Sequence, residues 1–260
     1  MISLWPARAL IGRRHPLFLI DIDKAHLAAA REALTQEGYA VDGKICDIAD
    51  AESVADLRRH LQTGPGLRVL AHVAALAPSC GDWRKLITVN LIGPHLIAAA
   101  LGPLMVSGGA AVFVGSVAAY VLDIDVRLRT VLADPLAPAF LARLEAGAPA
   151  PMTPGLGYAY SKAGLVAWCE RLAVEWGARG VRVVSVSPGL IESAMGARER
   201  AHNPDTAKFV GQTPLRREGS VAEAAAIVDF AVSDAASFMT GIDLPVDGGL
   251  RAATRQPPAG

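Results

Sequence analysis

The chain has 260 residues, 52% hydrophobic and 19% charged, and its 25 basic and 25 acidic residues leave a formal net charge of +0. A composition this apolar excludes a disordered chain and supplies enough material for one sizeable core. Charge neutrality leaves no electrostatic footprint for nucleic acid or an anionic membrane, so neither partner is expected.

In chain order, residues 17–20 form an apolar run that ends in Asp21, and 24–37 are Ala-rich with helical spacing. A short strand is expected over 39–45, an amphipathic helix over 50–61 and a strand over 68–73. A long helical stretch covers 83–105, interrupted near Gly93-Pro94, and a strand over 110–114 stops at Gly115-Ser116. A helix is expected over 158–176, then a β-branched strand over 181–186 that stops at Ser187-Pro188-Gly189. Ser220 and Glu223 form a capping box for a helix over 220–232, and the last strand, 242–246, runs into Asp247-Gly248-Gly249. Strands that are near-continuous apolar runs, alternating with helices, predict a doubly wound parallel sheet of Rossmann type in a single domain, 1–250, followed by a flexible tail, 251–260. One segment breaks the alternation. An insertion at about 120–157 is rich in Ala, Leu and Pro, and its apolar content suggests a lid with a short helix near 134–145.

No apolar run is expected to span a membrane. The opening MISLWPARALIGRRHP places its basic residues after its apolar ones, unlike a secretory signal, and a cytoplasmic protein is expected. Cys46, Cys80 and Cys169 are scattered and odd in number, which suits core thiols in a reducing compartment, and no Cys/His spacing suggests a metal site.

Tyr158 and Lys162 are four apart on a helix and so share a face. An ammonium beside a phenol favours phenolate and lowers its pKa, and such a phenol can exchange a proton with an alcohol or carbonyl oxygen. Ser116 follows a strand at the carboxyl edge, where ligands bind in this fold class. Asn90 sits inside an apolar helix, where its amide competes for backbone hydrogen bonds and makes a kink or a polar relay.

Together these residues resemble the short-chain dehydrogenase/reductase family: a strand ending at Ser116, Tyr158-Ala-Tyr-Ser-Lys162, a strand ending at Pro188-Gly189, Val246-Asp-Gly-Gly249, and Asn90 in Val-Asn-Leu-Ile-Gly. The insertion and the segment 208–217 look most like bacterial hydroxysteroid dehydrogenase/carbonyl reductase members. The resemblance implies an NAD-dependent oxidoreductase that interconverts a secondary alcohol and a ketone by hydride transfer on a small hydrophobic substrate. It implies Tyr158 as general acid/base, Lys162 as the group that lowers the tyrosine pKa and holds the nicotinamide ribose, Ser116 as the orienter of the substrate oxygen, and Asn90 as the anchor of a water in a relay to Lys162. Tyr160 is two residues from Lys162 and faces elsewhere. A carboxylate at Asp21, followed by Ile22, binds ribose hydroxyls and repels a 2′-phosphate, which favours NAD over NADP. Asp47 and Ile48 resemble the adenine-contacting pair; Ala74 borders the cofactor; Pro188, Ile191 and Ser193 match the segment covering the nicotinamide. The family commonly pairs long helices between subunits, so a homodimer or homotetramer is expected.

Two departures stand against this pattern. A glycine-rich turn is not recognisable: Gly12 alone precedes Asp21, and Arg13 and Arg14 suit a helix C-terminus. Either residues upstream complete the fold, or 2–5 fill the central strand and Pro6 starts a shortened helix. An alternative role follows, a non-catalytic subunit or truncated member that binds no nucleotide. The second departure is His72-Val73-Ala74-Ala75 where the family has an Asn-Asn-Ala-Gly-like stretch. His72 reads as a satisfied strand-end histidine. The helical stripe Leu165, Trp168, Cys169, Leu172 and Trp176 reads mainly as core.

Overall fold

The structure, a computed structural model, describes residues 16–203 and 206–255. Residues 1–15, which hold the proposed central strand, Pro6, Gly12, Arg13 and Arg14, lie outside the described residues.

The first two described strands hand over to helices through capping side chains. Strand β1 (Leu17–Asp21) leads into α1 (Lys24–Gln36), where Asp23 accepts from the N–H groups of Ala25 and His26. Strand β2 (Val41–Ile45) leads into α2 (Ala51–Leu61) through Asp50, which accepts from Glu52 and Ser53. Strand β3 (Leu67–His72) is followed by α3 (Trp83–Ile87), a π turn (Thr88–Ile92) and α4 (Gly93–Leu101). The expected helix interruption therefore falls at Asn90, just before Gly93-Pro94. Strand β4 (Met105–Val114) precedes α5 (Val126–Leu132), α6 (Phe140–Gly147) and the long α7 (Pro154–Gly177). Then come β5 (Arg182–Pro188), the two-residue β6 (Ile191–Glu192), α8 (Ala194–His202), α9 (Thr206–Gln212) and β7 (Gly219–Ser220). Last are α10 (Val221–Val232), started by the Ser220/Glu223 capping box, β8 (Ile242–Val246) and α11 (Leu250–Thr254).

All described pairings are parallel: β1 with β2, the order β3-β4-β5-β8, and the short pair β6 with β7. Helices cover both faces of the four-stranded sheet. On one face Ala111, Phe113 and Val183 pack with Leu165, Trp168, Cys169 and Leu172 of α7. On the other, Val112, Val184 and Val186 pack with Val228 and Ala231 of α10. Phe18 and Ile20 of β1 and Leu67 and Leu70 of β3 border one cluster built on Val54, Leu57, Ile97 and Leu101. Parallel strands point their carboxyl ends to one edge, so Ser116 and Pro188 share an edge with the end of β3.

Four expectations change. The apolar side chains of the insertion are not a lid: Leu128, Leu132, Phe140 and Leu144 are buried in the same cluster as α7. Apolar content alone cannot say which surface a segment covers, and here burial against the core wins. Residues 251–255 are not a loose tail, because α11 is docked by Arg251, whose N–H donates to Asp247 at 2.7 Å; residues 256–260 lie outside the described residues. The stretch Trp83–Leu104 is long and apolar enough to cross a membrane by length and composition, but Trp83, Leu86, Ile87, Leu91, Ile97 and Leu101 are buried in the folded chain. Cys46 and Cys169 are buried as expected, whereas Cys80 is exposed. The stripe Leu165, Trp168, Cys169, Leu172 and Trp176 is buried within the chain, as its spacing suggests.

Candidate active site

The end of β4 is shaped by a close approach. Gly115 N–H donates to the Val186 carbonyl at 2.7 Å, and a Cβ at this position would lie 2.5 Å from Ser187 Oγ. Glycine lets the two strands meet there, and Ser116 follows at the edge in extended backbone, φ −170°. Its hydroxyl accepts from the Ala118 N–H at 3.2 Å, capping the 3₁₀ turn Val117–Tyr120.

Tyr158 and Lys162 lie on the first turns of α7, whose start is fixed by Thr153 accepting from Leu156 N–H and by Pro154 in the first turn. The Ser116 hydroxyl lies near enough to the Tyr158 phenol to favour its ionised form. Lys162 is 2% exposed, donates from Nζ to the Val114 carbonyl at 2.8 Å, and lies 5.8 Å from the Tyr158 ring centroid. Three of the predicted residues thus meet at one point of the carboxyl edge. The titration differs from expectation. Burial pushes the Tyr158 phenol above its ordinary value, Ser116 opposes this, and the nearby Glu199 carboxylate adds to it. Burial also lowers Lys162 to about 8. A four-residue spacing shows proximity but not dehydration, and dehydration dominates here.

Asn90 is 1% exposed and spends its amide on the main chain of Leu76: Oδ1 accepts from the Leu76 N–H at 2.8 Å and Nδ2 donates to its carbonyl at 2.9 Å. The kink argued from its position is present as the π turn, and the side chain clamps the segment after β3 to the helix. Tyr160 is buried in the core, away from this edge.

The remaining predicted residues lie near strand ends. Half-buried Asp21 ends β1 and its Oδ1 accepts from the Asp23 N–H at 2.9 Å; Ile22 is 64% exposed. Asp47 follows β2 and accepts from the Ala49 N–H at 2.9 Å. The Ile48 side chain is a core residue, 7% exposed and packed against Gly93, so it presents no surface to a ligand. Ala74 is exposed in the loop after β3. Pro188 closes β5, Ile191 pairs with Gly219, and Ser193 caps α8 by accepting from the Gly196 N–H at 3.0 Å.

Two residues enter the site that sequence reasoning had not placed there. Glu199 on α8 accepts from the Ser79 N–H at 2.9 Å while its charge reaches Tyr158. Helix α8 has no buried residues and hence no apolar periodicity to reveal it. His72 is the second: it is not a satisfied histidine, because its buried Nε2 has no partner among the described residues.

A family profile described as Enoyl-(Acyl carrier protein) reductase matches residues 2–124 and 145–251, and the unmatched stretch falls on the α5–α6 insertion. The chain is 31% identical to a 3-alpha-hydroxysteroid dehydrogenase/carbonyl reductase of Comamonas testosteroni, over 88% of this chain and 93% of that protein. It is 29% identical to a galactitol 2-dehydrogenase (L-tagatose-forming) of Cereibacter sphaeroides, over 95% of this chain and 90% of that protein. Its fold matches the crystal structure of a gluconate 5-dehydrogenase from Burkholderia cenocepacia in complex with NADP and tartrate, with a TM-score of 0.76 at 21% identity, covering 97% of this chain and 91% of that one.

Proposed function

The chain belongs to the short-chain dehydrogenase/reductase family, and from this premise we propose that it is an NAD-dependent oxidoreductase interconverting a secondary alcohol and a ketone. The observation that carries this reading is the convergence of Ser116, Tyr158 and a buried Lys162, whose ammonium lies 5.8 Å from the Tyr158 ring, at one strand edge.

The residues present suit the two ends of a nicotinamide dinucleotide. Lys162 carries three donors and uses one on Val114, leaving the others for a ribose diol. Asp21 uses Oδ1 on Asp23 and keeps Oδ2 for the other ribose, which supports NAD over NADP. Ala74 would border the cofactor, Asp47 would lie on the adenine side, and Pro188, Ile191 and Ser193 would cover the nicotinamide. When bound, the dinucleotide supplies the hydride donor or acceptor.

Tyr158 exchanges the proton with the substrate oxygen. Burial keeps the phenol protonated in the resting site, which suits it to protonate a ketone oxygen. Ser116 donates to the same oxygen and stabilises its charge as it develops. Lys162 supplies a positive charge beside the phenol, and Asn90 acts through the backbone it clamps. The substrate is a hydrophobic alcohol or ketone, as the hydroxysteroid dehydrogenase/carbonyl reductase relative suggests. A polyol is the competing class, since a galactitol 2-dehydrogenase is also similar and Glu199 brings a carboxylate to the site.

A second reading is a non-catalytic subunit in an oligomer: Gly12 is the only glycine among residues 1–20, so these residues supply no glycine-rich turn. Calorimetry with NAD and NADP on the purified chain, followed by turnover of cyclic ketones and of polyols, separates the two. NAD binding that persists in Tyr158→Phe, with turnover lost in that variant, is the expected result. A folded chain that binds neither dinucleotide overturns the enzyme reading.

A further inference from the structure

Residue His72 ends β3 and is 6% exposed, with its ring stacked on Phe113 at 5.8 Å between centroids. Phe113 is also its register partner on β4. The next residue along β4, Val114, is the one whose carbonyl receives the Lys162 ammonium. The imidazole and the carbonyl that holds the ammonium therefore sit on neighbouring rungs of adjacent strands, at the edge where Ser116 and Tyr158 meet.

Their hydrogen-bonding needs are complementary. Among the described residues His72 Nε2 is buried without a partner. Burial and the charge of Lys162 lower its pKa to about 4, so the ring is neutral at physiological pH. Its own backbone favours the protonated form, so the ring turns a donor towards its main-chain carbonyl. With Nε2 unpartnered, Nδ1 carries the proton, and Nε2 keeps a buried lone pair; this tautomer is inferred from the hydrogen-bond network. Beside it lies an ammonium with three donors, one of them committed to Val114. A buried acceptor without a donor is costly, and the one charge that acts on this ring, Lys162, is a donor.

We propose that His72 is a positioning residue for Lys162: its Nε2 accepts a hydrogen bond from one bound water that the ammonium donates to, and this fixes the direction of the donor that remains. The inference rests on the oxidoreductase reading for its effect on turnover, but the pairing itself does not. Asn90 cannot perform this task, because its amide is engaged by Leu76.

Two measurements test it. The first compares His72→Leu, which keeps bulk but no acceptor, with His72→Gln, which returns an acceptor to similar reach. We expect His72→Leu to lower kcat roughly tenfold with little change in KM, and His72→Gln to recover most of the loss. A folded His72→Leu with unchanged kcat, or equal losses in both variants, overturns the proposal. The second is nitrogen NMR of imidazole-labelled protein, which needs no turnover. The Nε2 resonance of His72 should move on Lys162→Met, and an unmoved resonance overturns the pairing. A chain that turns over no alcohol or ketone but shows this shift keeps the pairing and loses the oxidoreductase reading.

Discussion

The Tyr120 hydroxyl donates to the Asp243 carboxylate at 2.5 Å, joining the turn after Ser116 to the last strand. Ser185 and Ser187 on β5 donate to the other oxygen of Asp243 at 2.6 and 2.8 Å. The Arg251 guanidinium lies 3.7 Å above the Tyr120 ring. Burial and the carboxylate push the Tyr120 phenol far above its ordinary value, so it stays a donor. One carboxylate thus ties β5, β8 and the turn beneath the site into a unit, and α11 closes over it. Tyr120→Phe removes one charge-assisted hydrogen bond and should lower stability by about 2 kcal/mol in urea unfolding. A change within experimental error would show that the tie contributes nothing.

The insertion gives the second prediction. Leu144 is 0% exposed and belongs to the main core cluster. Leu144→Ala should cost ~2–5 kcal/mol, the range for a buried leucine that leaves a cavity. A lid residue would cost almost nothing, so a small loss measured by chemical denaturation would return the segment to that role.

Acid sensitivity is the third. His95 is 8% exposed, stacks on Trp168 at 3.9 Å, and has its pKa lowered to about 4 chiefly by burial, as has His72. Both are neutral in the fold, while an unfolded chain takes up their protons near the ordinary histidine value of 6.5. Between these values the unfolded state binds more protons, so stability falls as pH drops from 6.5 towards 4. Urea midpoints at neutral and mildly acidic pH should separate more in the wild type than in His95→Leu. Equal separations would mean that His95 is not held neutral.

Much of this organisation is legible in the residues, and the reasons differ by element. Strand β5 reads clearly because a doubly covered strand is an apolar run. Ser220 and Glu223 announce α10 because a capping box is a local signal. Asn90 shows its kink for a similar reason. Helix α8 escapes because it buries nothing and so carries no periodicity. The insertion misleads because hydrophobicity reports that a surface will be covered, not by what. At Tyr158 the spacing reveals the neighbour but not the dry surroundings that reverse the direction of its titration. The unpartnered state of His72 depends on strand register and could not be read from β3 alone.

The clamp formed by Asn90 touches Leu76 only through its amide and carbonyl. A lock that grips the main chain is indifferent to spelling. Substitutions at 73–75 can alter the wall that borders a ligand while the grip of helix on strand persists, so this stretch can drift towards new ligand contacts without the scaffold being rebuilt. The Val73-Ala74-Ala75 spelling is one outcome that such a lock permits.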